Sequence, residues 1–378
     1  MSKTLVIVLS QTREHELTFS NFKKNVVDVL GADLCLCIGV KPDYDYTNPF
    51  YLLAKYKFLY DEPISEDFAE AFEYAYQSLQ IHRPKFEKLI NINVLHAKIH
   101  HPFEQTPQTT NYGIPKNIDN ILEDTQDDAV VVHESIFYKE EWRNQVYGIK
   151  SCFNDNFISE YNITTYKKPL HWREFLNVHF HGWGVNSATT QHPASSGYLL
   201  FFRWFLLKKI HENNILSEYD RFIITRSDFI YQLPHPTMEI MDKRFIWIPD
   251  CEHYEGYTDR HVVLSKSNIE PYLNIFNNMV LRSNEYFMLL QKTSWNLERL
   301  IKFHLQRNRV DHLVREFPYI MYSVRSITGV SKWQMGTYSN ELKYFIKYHS
   351  EYLKSSSYKE LFNKSNLPID RFYMNLLN

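Results

Sequence analysis

The stretch FIITRSDFIY, residues 222–231, sets Arg226 and Asp228 two apart, directly after four apolar or β-branched residues. Such a run predicts a buried strand, so two opposite charges fall at its carboxyl end. About thirty residues on, IPDCEHYEGYTDRHVV again follows an apolar run with carboxylates: Asp250, Glu252, Glu255 and Asp259. A strand-end cation and carboxylate, with a second acidic loop, are the minimum set for moving a sugar off a nucleoside diphosphate. The departing diphosphate needs charge compensation, from a divalent metal on a carboxylate or from Arg and Lys. The sugar hydroxyls need acceptors, and the attacking hydroxyl needs a base or a protected donor face. The plainer account is that Arg226 and Asp228 are solvated at a strand end, or pair for structural reasons.

These charges need a scaffold. TLVIVLS predicts a first strand, ending at the polar turn QTREHE, and TFSNFKKNVVDVLG has helical apolar spacing (Phe22, Val26, Val27, Leu30) with Gly31 as a stop. ADLCLCIGV and KYKFLYDEP read as further strands, and SEDFAEAFEYAYQSLQ as a helix opened by Ser65 with acidic residues in its first turn. Alternating strands and helices imply a parallel sheet with crossover helices, whose ligands lie beyond the strand carboxyl ends. SQTR and TRSD then come to one edge. Further on, PASSGYLLFFRWFLLKKIHENN predicts a central helix, KRFIWIPD a strand, and VVLSKSNIEPYLNIFNNM a strand and helix. Residues 82–170 read as excursions from the sheet, an insertion or acceptor-side region. From 283 the chain reads as mostly helical, with a short YIMYSVRS strand and a Lys/Tyr-rich helical tail.

LVIVLSQTR, TRSDF and GYTDRHVVLSKSNIEPY together resemble the GT-A glycosyltransferases of polysaccharide and lipopolysaccharide synthesis. Those enzymes commonly carry a (G)Q-x-R first turn, an R-x-D strand end and a G-x-x-D-R/Q-F loop. NLERLIKFHL and SVRSITGVSKW are similar to the tail of such enzymes, where a helix headed by Asn-x-Glu precedes a strand ending in Arg. The resemblance implies an α/β fold: one Rossmann-type, mostly parallel sheet flanked by helices over 1–282, with a helical region over 283–378 packed on it. It implies a nucleotide-sugar donor and a carbohydrate or glycan acceptor. Asp228 matches the carboxylate that holds the metal or the donor sugar, and Arg226 the strand-end arginine on diphosphate or sugar. Asp259 matches the loop aspartate facing the acceptor, the candidate base, with Arg260 beside it. Gln11 and Arg13 fall near the nucleotide. In three places the chain departs from the pattern. Ser10 stands where a glycine is common, Arg226 where many members have the first Asp of Asp-x-Asp, and Ser326 where some have a metal-binding histidine. Use of Mn²⁺ or Mg²⁺ therefore stays open, and Arg226, Arg325 and Lys332 are alternative cations for the diphosphate.

Each residue also has a plainer reading. Asp259 beside Arg260 is also what a surface ion pair looks like, Arg13 a solvated turn residue, and Lys332 a lysine packed on Trp333. Ser195, Ser196 and Gly197 suit a helix start, where backbone N–H groups either bind phosphate or are simply capped. In HFHGW, His179 and His181 share one face of a strand, a zinc spacing. Completing it would take His192, His133 or the His100–His101 pair, and no HExxH or CxxC accompanies them. A zinc hydrolase and a catalytically silent sugar- or nucleotide-binding module are the competing classes.

Bulk properties narrow the field. With 42 Lys and Arg against 44 Asp and Glu the net charge is −2, which argues against bulk attraction to nucleic acid. Four cysteines make no disulfide framework, and Cys35 and Cys37 read as two buried thiols on one strand face. TLVIVLS is too short for a signal segment, and YLLFFRWFLL, broken by Arg203, is about half the roughly 20 residues that cross a bilayer. These points favour a cytosolic location, with at most peripheral membrane contact through the Lys/Tyr-rich end. The 27 Tyr and 26 Phe would suit sugar stacking, but with abundant Asn, Ile and Lys they fit an AT-rich genome better.

Overall fold

A computed structural model describes residues 3–41, 43–61, 129–134, 195–281, 286, 296–329 and 335–377. The strands are β1 (Thr4–Ser10), β2 (Asp33–Val40), β3 (Tyr56–Asp61), β4 (Val130–Glu134), β5 (Arg221–Thr225) and β6 (Phe229–Tyr231). They continue with β7 (Ile246–Pro249), β8 (Val262–Ser265), β9 (Val314–Phe317), β10 (Met321–Arg325), β11 (Thr337–Ser339) and β12 (Tyr344–Ile346). The principal helices are α1 (His15–Phe22), α2 (Pro49–Leu53), α3 (Ser195–Glu212), α4 (Ile269–Leu273) and α5 (Ile275–Leu281). After them come α6 (Leu297–Arg307), α7 (His349–Ser365) and α8 (Ile369–Leu377).

Eight strands form one sheet in the order β4-β3-β2-β1-β5-β8-β7-β9. Strand β8 is antiparallel to both neighbours and every other pair is parallel, so the expected α/β class and mostly parallel sheet are present. Strands β1, β2, β7 and β8 are largely apolar on both faces because both are covered, while β3 carries the buried Lys57 and edge strand β9 exposes Arg315 and Glu316. Leu5, Ile7 and Leu9 pack with Cys35, Cys37, Phe222 and Ile224 against α3 and α6, while Val6, Val8, Leu36 and Ile223 pack with Phe22 and Phe50 on the other face. Burial pushes both Cys35 and Cys37 thiols up, as inert core residues. Gly31 closes the first helical segment at φ 53°, the left-handed stop its sequence position suggests.

The antiparallel turn of β8 decides where the acidic loop goes. Strand β7 ends at the same edge as β1 and β5, and β8 starts there, with Ile224 paired to Val262. The residues just before β8 are thus set beside those just after β5. A buried polar chain fixes this junction. His261 Nδ1 lies 3.0 Å from Thr225 Oγ1, and Thr225 Oγ1 lies 3.2 Å from the Tyr231 hydroxyl. The Nε2 atoms of His261 and His235 are 3.2 Å apart, and His235 Nδ1 donates to Pro236 O at 2.7 Å. One set of tautomers satisfies it all with both rings neutral, His261 donating to His235. Burial pushes His235 from 6.5 down to about 4 and His261 well below its ordinary value. The unfolded chain binds these protons near pH 6.5 and the folded chain resists them. Stability should therefore fall as pH drops from about 6.5 towards 4, by about 3 kcal/mol from His235. Urea unfolding at pH 7.5, 5.5 and 4.5 measures this; His235→Asn, which does not titrate, should show a shallower slope.

The described part of the C-terminal region is built on α6, α7 and α8, as expected, and adds strands beyond the single one its sequence suggests. It lends β9 to the main sheet, and β10, β11 and β12 join β6 in a second, four-stranded sheet ordered β11-β12-β10-β6. Within the tail read as helix, Tyr344–Ile346 is a strand and α7 begins only at His349. The free edge of β10 accepts Tyr344–Ile346 as a partner, and those backbone bonds outweigh local helix preference. Of the earlier expectations, the helix over 65–80 and most of 82–170 fall outside the described residues.

Candidate functional site

Turns following β1 and β5 meet because the strands are parallel neighbours, Val8 opposite Thr225. Ser227 pins them: its buried hydroxyl lies 2.9 Å from Gln11 O and 3.0 Å from Arg13 O. Ser10 has φ 80° and Glu14 φ 61°, both uncommon for residues with a Cβ. Ser10 thus holds, with a Cβ, a positive-φ backbone that glycine adopts at no steric cost.

Asp228 lies at the centre, fully buried. Arg226 grips it with two bonds, Nε to Oδ1 at 3.0 Å and Nη2 to Oδ2 at 2.8 Å. Arg325, at the end of β10, donates to Oδ2 at 2.6 Å, and Arg13 Nε stands 3.4 Å from the same oxygen. Burial alone would raise the carboxyl, but the guanidinium groups of Arg226, Arg325 and Arg13 hold it well below the usual range. Glu14 is the second carboxylate here. Its Oε2 accepts from Ser326 N at 2.7 Å, and Oε1 lies 4.0 Å from Arg325 Nε. Three arginines and two carboxylates leave an excess of positive charge at the carboxyl edge of the sheet. Such a cluster suits an anion.

The acidic loop sorts itself by partner. Asp250 accepts from Tyr319 N at 2.8 Å and meets Tyr358 and Lys354, tying the loop to α7. Glu252 accepts from Ser350 Oγ at 2.7 Å and lies 3.3 Å from Arg260. Glu255 pairs with Arg299. Among the described residues, only the Asp259 carboxylate of these four makes no hydrogen bond or ion pair; its backbone carbonyl accepts from Arg203 Nη2 at 3.2 Å. Arg260, expected at the substrate, is instead a buried partner of Glu351 and Glu252, stacked 4.3 Å over Tyr348. The surface ion pair of Asp259 with Arg260 does not form. Burial alone would lower Arg226, but Asp228, with a smaller contribution from Asp259, raises it. Asp228 just follows β5 and Asp259 just precedes β8, whose Val262 pairs with Ile224, so both lie at the carboxyl edge of the sheet.

Glu298, in the first turn of α6, is a neighbour that its sequence position only hinted at. Tyr257 N donates to Glu298 O at 3.0 Å, and a Cβ on Gly256 would sit 2.0 Å from the Glu298 carbonyl carbon, so only glycine lets the loop lie against the helix. Burial and the adjacent Asp259 push the Glu298 carboxyl up to about 8. A proton-holding acid beside an unpaired carboxylate is an arrangement that acid–base chemistry uses.

Ser196 lies in the first turn of α3, as the sequence suggests, and Arg203, two turns on, joins that helix to Asp259. Lys332, His179, His181, His192 and His100–His101 lie outside the described residues; His133 is in β4. Among the described residues no group of three or more His, Cys, Asp or Glu is placed to hold a metal ion. A divalent ion on Asp228 would have to displace Arg226 or Arg325, so the residues described do not fit Mn²⁺ or Mg²⁺ there. No described helix is long and apolar enough to cross a membrane.

No protein-family model matches the chain, and no curated protein matches it. Among solved structures it is similar to mouse xyloside xylosyltransferase 1 in its apo form, with 8% identity and a TM-score of 0.29, covering 84% of this chain and 85% of that one. At that level of likeness, function has to be argued from this chain's own residues.

Proposed function

We propose that the chain is a glycosyltransferase that moves a sugar from a nucleotide-sugar donor to a carbohydrate acceptor in glycan or polysaccharide synthesis. The observation that carries this reading is the gathering of Arg13, Arg226 and Arg325 on Asp228, where the ends of β1, β5 and β10 converge. In this reading the arginines neutralise the donor diphosphate as it departs, a task otherwise given to a metal. Asp228 holds them in position. Asp259 takes the proton of the attacking hydroxyl, and Glu298 adjusts the charge beside it. The sequence resemblance at SQTR, TRSD and GYTDR supports the same assignment.

Thermal shift with UDP, GDP and CMP, each with Mn²⁺ and with EDTA, tests the donor side. One nucleotide class should raise the melting temperature, and the rise should persist in EDTA; a ligand at about a hundred times its Kd adds about 2.7 kcal/mol. Incubation with the matching nucleotide sugars and oligosaccharide acceptors should then release the free nucleotide. Binding without release would replace the enzyme by a binding module, and absence of any nucleotide effect would remove both.

A further inference from the structure

Lys347 follows β12, on the face of the small sheet that carries Arg325. Phe345 pairs with Arg325, and continuing that register places Lys347 opposite Ser323, to whose carbonyl its N–H donates at 2.9 Å. Side chains at 323, 325, 345 and 347 then share one face. Lys347 is 5% exposed. Among the described residues its ammonium group meets no carboxylate, only the Tyr348 ring at 5.1 Å. Gly336 packs on this backbone, where an added Cβ would stand 2.5 Å from the Lys347 Cα, so the position is tightly held.

Arg325 is also incompletely partnered. It is fully buried; Nη1 serves Asp228, while Nε and Nη2 have no hydrogen-bond partner among the described residues. Unpaired buried donors of a cation are expensive unless a ligand completes them. The charged groups that Lys347 senses are Arg226 and Asp228 from the β5–β6 turn, Arg325 from β10 and Arg13 from the β1–α1 turn. Glu14 lies beyond Arg325. Asp228 is already saturated by arginines, so among the described residues no further carboxylate balances a fourth cation.

We infer that Lys347, with the open N–H groups of Arg325, forms a phosphoryl-binding subsite and completes a four-cation cradle for a diphosphate. This rests on the donor reading above. Consistent with it, burial and the neighbouring Arg226 and Arg325 push the Lys347 amine down to about 6, so with no anion bound it is largely neutral at pH 7.5. An arriving diphosphate supplies the missing negative charge, and the amine takes up a proton as the anion binds.

The test is calorimetric titration of inorganic pyrophosphate into the full chain at pH 7.5, in buffers of different ionisation enthalpy. Wild type, Lys347→Met, Lys347→Arg and Arg13→Gln are compared. Lys347→Met should bind at least about tenfold more weakly and take up fewer protons than wild type. Its melting temperature without ligand should be equal or higher, because a buried unpaired amine is replaced by an apolar chain of similar length. Lys347→Arg should keep most of the affinity and lose the proton uptake. If Lys347→Met binds pyrophosphate as wild type does while Arg13→Gln binds weakly, the subsite is overturned and the donor reading stands. If wild type binds none, both fall.

Discussion

Asp228→Asn should destabilise the chain by about 3–5 kcal/mol, a loss large enough to show at pH 7 as a collapse of the urea midpoint. The reason is the company this carboxylate keeps. Arg226, Arg325 and Arg13 surround a side chain with no solvent exposure, and asparagine returns none of the negative charge that holds them together. A carboxylate whose work was to bind a metal or a sugar would behave in the opposite way: its loss would abolish turnover and leave stability nearly unchanged. High phosphate or pyrophosphate should rescue part of the Asp228→Asn stability, since a bound anion substitutes for the missing charge. An unaltered midpoint would show that the arginines do not depend on Asp228.

Asp259→Asn should have the complementary phenotype, a fall in kcat of about 10²–10⁴ with the midpoint within about 0.5 kcal/mol of wild type. Its carboxylate meets no partner among the described residues, so no contact is lost. Nucleotide binding should be retained, because the arginine cradle is untouched. The adjacent Glu298 provides the control. Its carboxyl is held up near 8 by burial and by Asp259, so it is mostly protonated at pH 7. Glu298→Gln preserves that neutral form; the rate at pH 7 should stay within a few-fold, and any step in the rate near pH 8 should vanish. Stability gives an independent sign. The folded state binds a proton that the unfolded state releases between pH 4.5 and about 8, so the wild-type chain loses this contribution as pH rises through that window. Glu298→Gln should therefore raise the melting temperature more at pH 9 than at pH 5. Equal activity of Asp259→Asn and wild type would remove the base from the mechanism.

Much of the scaffold was legible from local pattern. Apolar runs located β1, β2, β5 and β7, because strands covered on both faces need no polar side, and β3 was located despite Lys57 within it. The rule that parallel strands bring their carboxyl ends to one edge was enough to unite SQTR with TRSD, and Arg13 with Asp228. Arg203 carried a signal of its own, a charge inside an apolar helix, and it proves to hold the Asp259 backbone.

Partnership among like charges was not legible. Asp250, Glu252, Glu255 and Asp259 look alike in a row, and only the packing of α6 and α7 engages three and leaves one unpaired. Arg226 and Arg260 look equally suited to a substrate, yet Glu351 from a helix 91 residues away takes the second. Lys347 sat in a stretch whose composition suggests a solvated helix, and long-range pairing with β10 turned it inward. Strand and helix follow from the periodicity of neighbours, whereas the state of a charge follows from which distant groups share its low-dielectric surroundings, and those are set only when the chain has closed.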